Sequence, residues 1–486
     1  MTSSLIPPAP PAKAVPLESQ VHAGRGGLIT PWLAWAGEGL RRRQKRIQRL
    51  QWGVVAIYLV LVAVPAFLPL PDRLSHLLNN LTLFAQFVFW GVWWPFVLLS
   101  MVVAGRSWCG LFCPEGTLTE AVSRIGLGYA VPRWIKWKGW PFVAFSLTTI
   151  YGQMVSVYQY PKPALLILGG STLGAIIIGF LYGRNHRVWC RYLCPVNGVF
   201  GLLAKLAPVH FRVDEEAWAH SRRSKNAGVR AVNCAPLVAI KTMRGAADCH
   251  MCGRCSGFRN AISLSPRVPG DEIVRVAGAT PKPWESLLIV FGLMGLAMGA
   301  FHWSVSPWYV SLKQACASWL VDHSILWPLS LQPPWWILTD YPAANDQMAF
   351  LDGAVLLIYI GTTTLAIGLT VALCLWVAAR LLGPAPRAKF HHLAQSLIPV
   401  AGCGVFLGLS AITVTMLRAE GFALAFVGPL RALLLGGAAL WTIWLAWRIT
   451  GLRDALRWRR FAATLCVTIA AMIGVASTAM LFWVWQ

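Results

Sequence analysis

Acidic residues are scarce in this 486-residue chain: 18 Asp and Glu stand against 42 Lys and Arg, and charged residues of both signs reach only 12%. So little charge, beside 57% hydrophobic residues and 26 Trp, excludes a soluble globular domain and points to an all-α, polytopic helical membrane protein. A glycine-rich nucleotide loop, a hydrolase triad and a zinc-protease helix are also missing, which leaves nucleotide-dependent and hydrolytic classes without a motif. No cleavable signal peptide opens the chain. Residues 1–20 are Pro- and Ala-rich and read as disordered, and the first apolar run follows a basic block, so it reads as an uncleaved anchor. Disulfide-type cysteine usage is absent too. Of 12 Cys, Cys316, Cys374, Cys403 and Cys466 are scattered singly and read as packing residues, while the rest stand in metal-type spacings.

What the chain does contain is long apolar runs and a repeated cysteine motif. The runs are Trp52–Leu70, Leu81–Gly105, Trp140–Tyr158, Ala164–Tyr182, Trp284–Trp303, Phe350–Ala379, Leu393–Leu417, Ala423–Trp447 and Phe461–Trp485. About nine transmembrane helices are therefore expected, each long enough for roughly 30 Å of hydrocarbon. Arg41–Arg46 is strongly basic, which places the N-terminus in the cytoplasm and, after nine crossings, the C-terminus in the periplasm of a bacterial inner membrane. All of the 42 Lys and Arg except Arg73, Lys162, Lys313, Arg418 and Arg431 then fall on the cytoplasmic side. Membrane topology thus explains the formal charge of +24, and no nucleic-acid partner is expected.

The expected division is a basic, disordered N-terminus (1–50), a membrane core (51–204), a cytoplasmic insert (205–283), one transmembrane helix (284–303), a periplasmic Trp- and Pro-rich lid (304–349) and a four-helix membrane region (350–486). In the core, Trp108-Cys109-Gly110-Leu111-Phe112-Cys113-Pro114 and Trp189-Cys190-Arg191-Tyr192-Leu193-Cys194-Pro195 repeat W-C-x3-C-P. Pro suits the first position of a helix, so Cys113 and Cys194 are expected at N-caps, where the helix end favours a thiolate. Spacing i, i+4 would put each Cys pair on one helix face. Together Cys109, Cys113, Cys190 and Cys194 make the four thiolates of one [4Fe–4S] cluster. Zinc, two separately completed sites, or a cluster shared with the insert are the alternatives.

The insert carries Cys249-His250-Met251-Cys252-Gly253-Arg254-Cys255, the three-ligand part of a bacterial ferredoxin loop. The expected fourth Cys is replaced by Arg259, so Cys234, the other cysteine of the insert, is expected to complete a second [4Fe–4S] cluster. A structural zinc site, which favours two separated C-x2-C pairs, is the competing reading. His302, His391 and His392 form no facing pair across the membrane, so haem is not expected. His302, His323, Asp322, Asp340 and Asp346 read as a wet outer loop, with a periplasmic metal or donor contact as the alternative. Glu115 and Glu120 suit a helix start, with proton uptake linked to a bound quinone as the alternative.

WCGLFCP, WCRYLCP and CHMCGRC together resemble the NapH/MauN-type membrane polyferredoxins, to which NosR and CcoG proteins are related. That resemblance, over roughly 52–303, implies single-electron transfer between the quinone pool, cytoplasmic donors and periplasmic redox proteins. The single ferredoxin loop and the added spans look most like the FtrD-type component of bacterial ferrous-iron uptake systems. This implies a periplasmic cupredoxin-type donor and an iron permease or quinone pool as partners. The alternatives are a NapH-like quinol dehydrogenase, a CcoG-like metal reductase and a zinc-site assembly scaffold, so whether the chain is an enzyme stays open.

Overall fold

The computed structural model describes residues 29–72, 74–223, 232–453 and 455–485. Arg73 and the disordered segment expected over residues 1–20 lie outside the described residues.

Long apolar sequence becomes long helix because only helices satisfy their own backbone groups in lipid. Among the described residues, eight helices are long and apolar enough to cross a membrane: Gln44–Phe67, Leu81–Ala104, Pro161–Tyr182, Pro283–His302, Phe350–Leu381, Ile398–Ala419, Val427–Gly451 and Arg457–Val484. Pro161 and Pro283 stand in the first turn of their helices, where no N–H is needed. Asn80 caps the second span by accepting from the amides of Thr82 and Leu83. That span widens into a π-turn over Phe87–Trp93 and stops at Gly105, whose φ is +59°.

The ninth expected crossing is corrected. Trp140–Met154 has 15 residues, about 22 Å at the α-helical rise, and falls short of a full span. The chain breaks at Val155, and Ser156 turns through a positive φ. Even so, this helix lies along Pro283–His302 from end to end. Trp137 meets Trp284 at one end with ring centroids 5.0 Å apart, and at the other Trp303 Nε1 donates to Gln153 Oε1 at 2.8 Å. Its two ends therefore lie beside the two ends of that span.

One buried cluster joins much of the bundle, with smaller ones beside it. Met101, Cys109, Phe200, Leu293, Leu375, Val400, Leu445 and Val467 belong to a single buried cluster, so the four C-terminal helices share packing with the cysteine region. Small residues allow close approach: a Cβ on Gly295 would meet Thr364 O at 2.9 Å, and one on Gly368 would meet the Phe291 ring at 2.3 Å. At the end away from the cysteines, Pro307–Asp322 forms a helix and Asp340–Tyr341 pairs antiparallel with Asp346–Gln347. Trp308, Trp319, Trp327 and Trp336 stay exposed there. At the cysteine end, Val209–Val213 pairs antiparallel with Ile262–Pro266, with Phe211 opposite Leu264.

The N-terminal segment also departs from expectation. Ile29–Arg42 is a helix, not a disordered tail, and Leu33 is buried with Phe211, Met251, Ile262 and Leu264. Gly37 fits against Leu264 and Ser256, which a Cβ would meet at 3.0 and 3.1 Å. The helix forms because apolar residues recur at helical spacing and its partner sheet supplies a face to bury them.

Candidate metal centre

Each C-x3-C-P loop is a one-turn helix followed by a turn. Ser107–Leu111 holds Cys109, the helix ends at Phe112, and Cys113 then caps Pro114–Ser123 with its sulfur 3.4 Å from the Gly116 amide. This matches the expected N-cap. Val188–Tyr192 holds Cys190 in the same way, but Cys194 is not an N-cap. Pro195 and Val196 form a turn first, and the next helix starts at Asn197, whose amide donates to Cys194 O at 3.0 Å. Asn197 is occupied differently: its side chain donates to Arg191 O at 3.1 Å and accepts from Arg106 at 2.7 Å. In neither motif do the two cysteines share one helix; the one-helix, i, i+4 expectation gives way to a helix and turn.

The structure draws the expected residues into two neighbourhoods. Burial pushes the Cys113 and Cys194 thiols well up and the Cys190 thiol up to about 12, and each also feels Cys109. Burial likewise raises Cys249 well up and Cys255 to about 12, and both respond to Cys252 and Cys234. Cys234 is raised by burial first, then by Cys252. Such thiols stay neutral unless a strong local positive charge draws off their protons. The lone Cys316, Cys374, Cys403 and Cys466 stand apart from both groups and are only partly buried.

Among the described residues, no three His, Cys, Asp or Glu converge on single-ion spacing. A cubane takes its thiolates at four separate irons and so from farther apart than one ion does. The donor chemistry fits that group: sulfur only, four to a neighbourhood. His250 adds to the fit. Both of its ring nitrogens are buried without a hydrogen-bond partner, beside Cys249 and Cys252, where a sulfur acceptor would satisfy one of them.

Buried arginines surround these loops, and sequence reasoning missed them although each precedes a W-C motif. Arg106 donates to Ala247 O at 3.0 Å and lies 3.9 Å from Cys109 Sγ. Arg187, 1% exposed, donates to Cys109 O at 2.6 Å and to Glu120 Oε2 at 2.8 Å. Glu120 also receives Arg254 at 2.7 Å and Arg124 at 3.6 Å. Burial alone would raise this carboxyl, but Arg187 and Arg254 outweigh it and hold its pKa below the usual value. One carboxylate thus joins the first motif to the second and to the insert. On the far side of the insert, Glu272 accepts from the amides of Ala246 and Ala247 and from Arg267, which fixes the chain just before Cys249.

The two cysteine neighbourhoods touch. A Cβ on Gly110 would stand 2.0 Å from His250 O and 2.9 Å from Cys252 N, so only glycine admits the insert loop at that position. Gln51 donates to Gly110 O and Gln44 to Cys252 O, each at 2.9 Å, so the first span braces both loops. The other polar residues singled out by the sequence have ordinary partners or none. His391 pairs with Ser286 and His392 with Ile273 O; Asp346 accepts from Tyr160 and Asp340 from Gln347, while Glu115 accepts from Trp189 at 3.1 Å.

A multi-pass helical membrane protein with paired cysteine loops at one end of its bundle is the class that fold and site define. Residues 86–138 and 165–214 match the 4Fe-4S binding domain family, and these stretches contain Cys109, Cys113, Cys190 and Cys194. The chain is 24% identical over 238 residues to the putative electron transport protein YccM of Escherichia coli K12, covering 43% of this chain and 64% of the relative. It is 27% identical over 125 residues to the methylamine utilization ferredoxin-type protein MauN of Methylorubrum extorquens, covering 23% and 43%. The regulatory protein NosR of Pseudomonas aeruginosa is 26% identical over 202 residues, covering 34% and 27%. The chain therefore spans less than two thirds of each relative. No solved structure matches.

Proposed function

We propose that this chain passes single electrons between a redox partner at the outer end of the bundle and an acceptor at the cysteine end, in the setting of bacterial ferrous-iron uptake. The observation that carries the reading is the close approach of Gly110 to His250 and Cys252, which sets the C-x2-C-x2-C loop against the first C-x3-C-P loop. Cys109, Cys113, Cys190 and Cys194 would hold one [4Fe–4S] cluster, and Cys234, Cys249, Cys252 and Cys255 a second. When bound, such a cluster supplies one-electron exchange at a potential set by charge, hydrogen bonds and exposure.

The chain's own residues supply those controls. Arg106 and Arg187 bring positive charge and hydrogen bonds to the Cys109 loop, which favours an added electron there. Cys109, in the main core, and Cys190 are both buried, which excludes water. A run of rings supports a path from the opposite end: Tyr158 to Trp90 at 4.7 Å, Trp90 to Phe89 at 5.0 Å, Phe89 to Trp93 at 5.7 Å and Trp93 to Trp108 at 5.0 Å, next to Cys109. The basic loops around the cysteines support a cytoplasmic position for that end, with the tryptophan-rich lid facing the periplasm and a cupredoxin-type donor. The quinone pool or a cytoplasmic acceptor would take the electron.

A quinol dehydrogenase or metal reductase would use the same residues in the other direction. Oxidation of a reduced periplasmic donor by the purified protein, stopped by Cys109→Ser and by Cys252→Ser, is the outcome expected of the proposal. Oxidation of a quinol analogue or reduction of Cu(II) without any donor protein would favour the enzymatic alternative.

A further inference from the structure

A cavity of about 640 Å³ opens beside the cysteine loops, between Ile29–Arg42, the start of the first span, Pro114–Ser123 and the insert. Among the described residues, its walls carry five cations, Arg41, Lys45, Arg124, Arg254 and Arg259, against the single carboxylate Glu120. Glu120 is already over-balanced, because Arg187, Arg254 and Arg124 all reach it. Arg41 is shared with Glu38 behind the wall. Lys45 and Arg259 have no carboxylate partner among the described residues. Arg259 is half-buried, its guanidinium lies 5.2 and 5.5 Å from the Trp218 and Phe258 rings, and its buried Nε has no hydrogen-bond partner.

A solvated basic face would be flat or convex, and its cations would point into water. Here they converge on a hollow of a size that suits a ligand rather than a protein surface. Trp52 and Phe258 line the same hollow, as do Gln44, Gln48 and Gln51. We propose that this cavity binds a phosphate-bearing aromatic compound of nucleotide size, its phosphate held by Lys45 and Arg259 and its ring laid on the aromatic wall. Side-chain cations do here what a glycine-rich loop does elsewhere, which explains why no loop motif marks the site. Gln44 touches Cys252 O and Gln51 touches Gly110 O, so the bound compound sits one side chain from both cysteine loops. Binding does not rest on the electron-transfer reading; it is a property of the hollow.

The test uses the full-length protein purified without oxygen, with flavin mononucleotide, NADH and ADP as probes in a fluorescence or calorimetric titration, and riboflavin, inorganic phosphate and phosphatidylglycerol as comparisons. At least one nucleotide should bind, and Lys45→Gln with Arg259→Met should weaken it about tenfold or more, the loss of charge-assisted hydrogen bonds to phosphate. Iron and sulfide content should stay unchanged in that variant, which separates lost binding from lost folding. Tighter binding of flavin mononucleotide or NADH than of ADP assigns a redox compound, and the reverse assigns an adenine nucleotide. Failure of all three to bind overturns the proposal. So does equal competition by riboflavin, by inorganic phosphate or by phosphatidylglycerol, or undiminished affinity in the double variant.

Discussion

The two cysteine regions reach similar ends by different means. The C-x3-C-P pair is set in the rigid bundle: its loops grow directly out of Leu81–Ala104 and Pro161–Tyr182, and Cys109 belongs to the main core. The C-x2-C-x2-C loop does not grow out of a span, although Gln44 at the start of the first one donates to Cys252 O. It rests on a two-stranded sheet, an N-terminal helix and two ion pairs, the partly buried Arg254 with Glu120 and the buried Arg267 with Glu272. Membrane helices position the first region by length and packing, whereas the second depends on polar contacts that hold only while every partner is present. The insert should therefore be the weaker of the two, and substitutions can show it.

Cysteine replacement has the largest expected effect. Cys252→Ser should lower iron by about half, roughly four atoms per chain, and leave the membrane-edge centre intact. Cys109→Ser should remove the other half and also loosen the insert, because its loop is the surface on which Cys252 rests. Iron and sulfide analysis with electron paramagnetic resonance would check both; equal, independent losses would break the asymmetry.

Arg187→Met comes next. It leaves Glu120 buried without its best partner and should cost about 3–5 kcal/mol, read as a lowered thermal midpoint in detergent. Adding Glu120→Gln should recover much of that loss. Gly110→Ala should cost about 1–3 kcal/mol and separate the two regions, because its methyl cannot share space with His250 O. Release of iron from the insert while the C-x3-C-P centre stays loaded would be the signature.

The smallest effect concerns pH. Glu120 is held below its usual pKa, so the stability it contributes is present above about pH 4.3, the unfolded value, and is lost as pH falls through the lower folded value. Wild type should lose stability more steeply than Glu120→Gln on acidification below about pH 4.3. Parallel melting profiles of the two proteins across that range would contradict the role given to this carboxylate.

Spacing and hydropathy made much of the membrane region legible, because both are local properties: eight spans, the repeated motif and the Cys113 cap stand close to where residue order places them. What could not be read locally was partnership. The helix Ile29–Arg42 looked like a basic tail because its apolar face is short and its partner sheet lies far along the chain, at Val209–Val213 and Ile262–Pro266. Arg106 and Arg187 were visible before each W-C, yet nothing nearby announced that both would be buried. Cys194 failed as a cap because Pro195 and Val196 form a turn and the helix starts at Asn197, whose amide donates to Cys194 O. Trp140–Met154 shows the reverse case, an apolar run that ends early because the helix stops at Val155 and Ser156 turns the chain through a positive φ.

Metal analysis of the protein purified without oxygen, with electron paramagnetic resonance before and after dithionite, bears most directly on the two-centre reading. About eight iron and eight sulfide per chain, with signals that appear on reduction, are expected for two [4Fe–4S] clusters. Stoichiometric zinc with little sulfide would contradict it and leave the cysteine loops as structural sites.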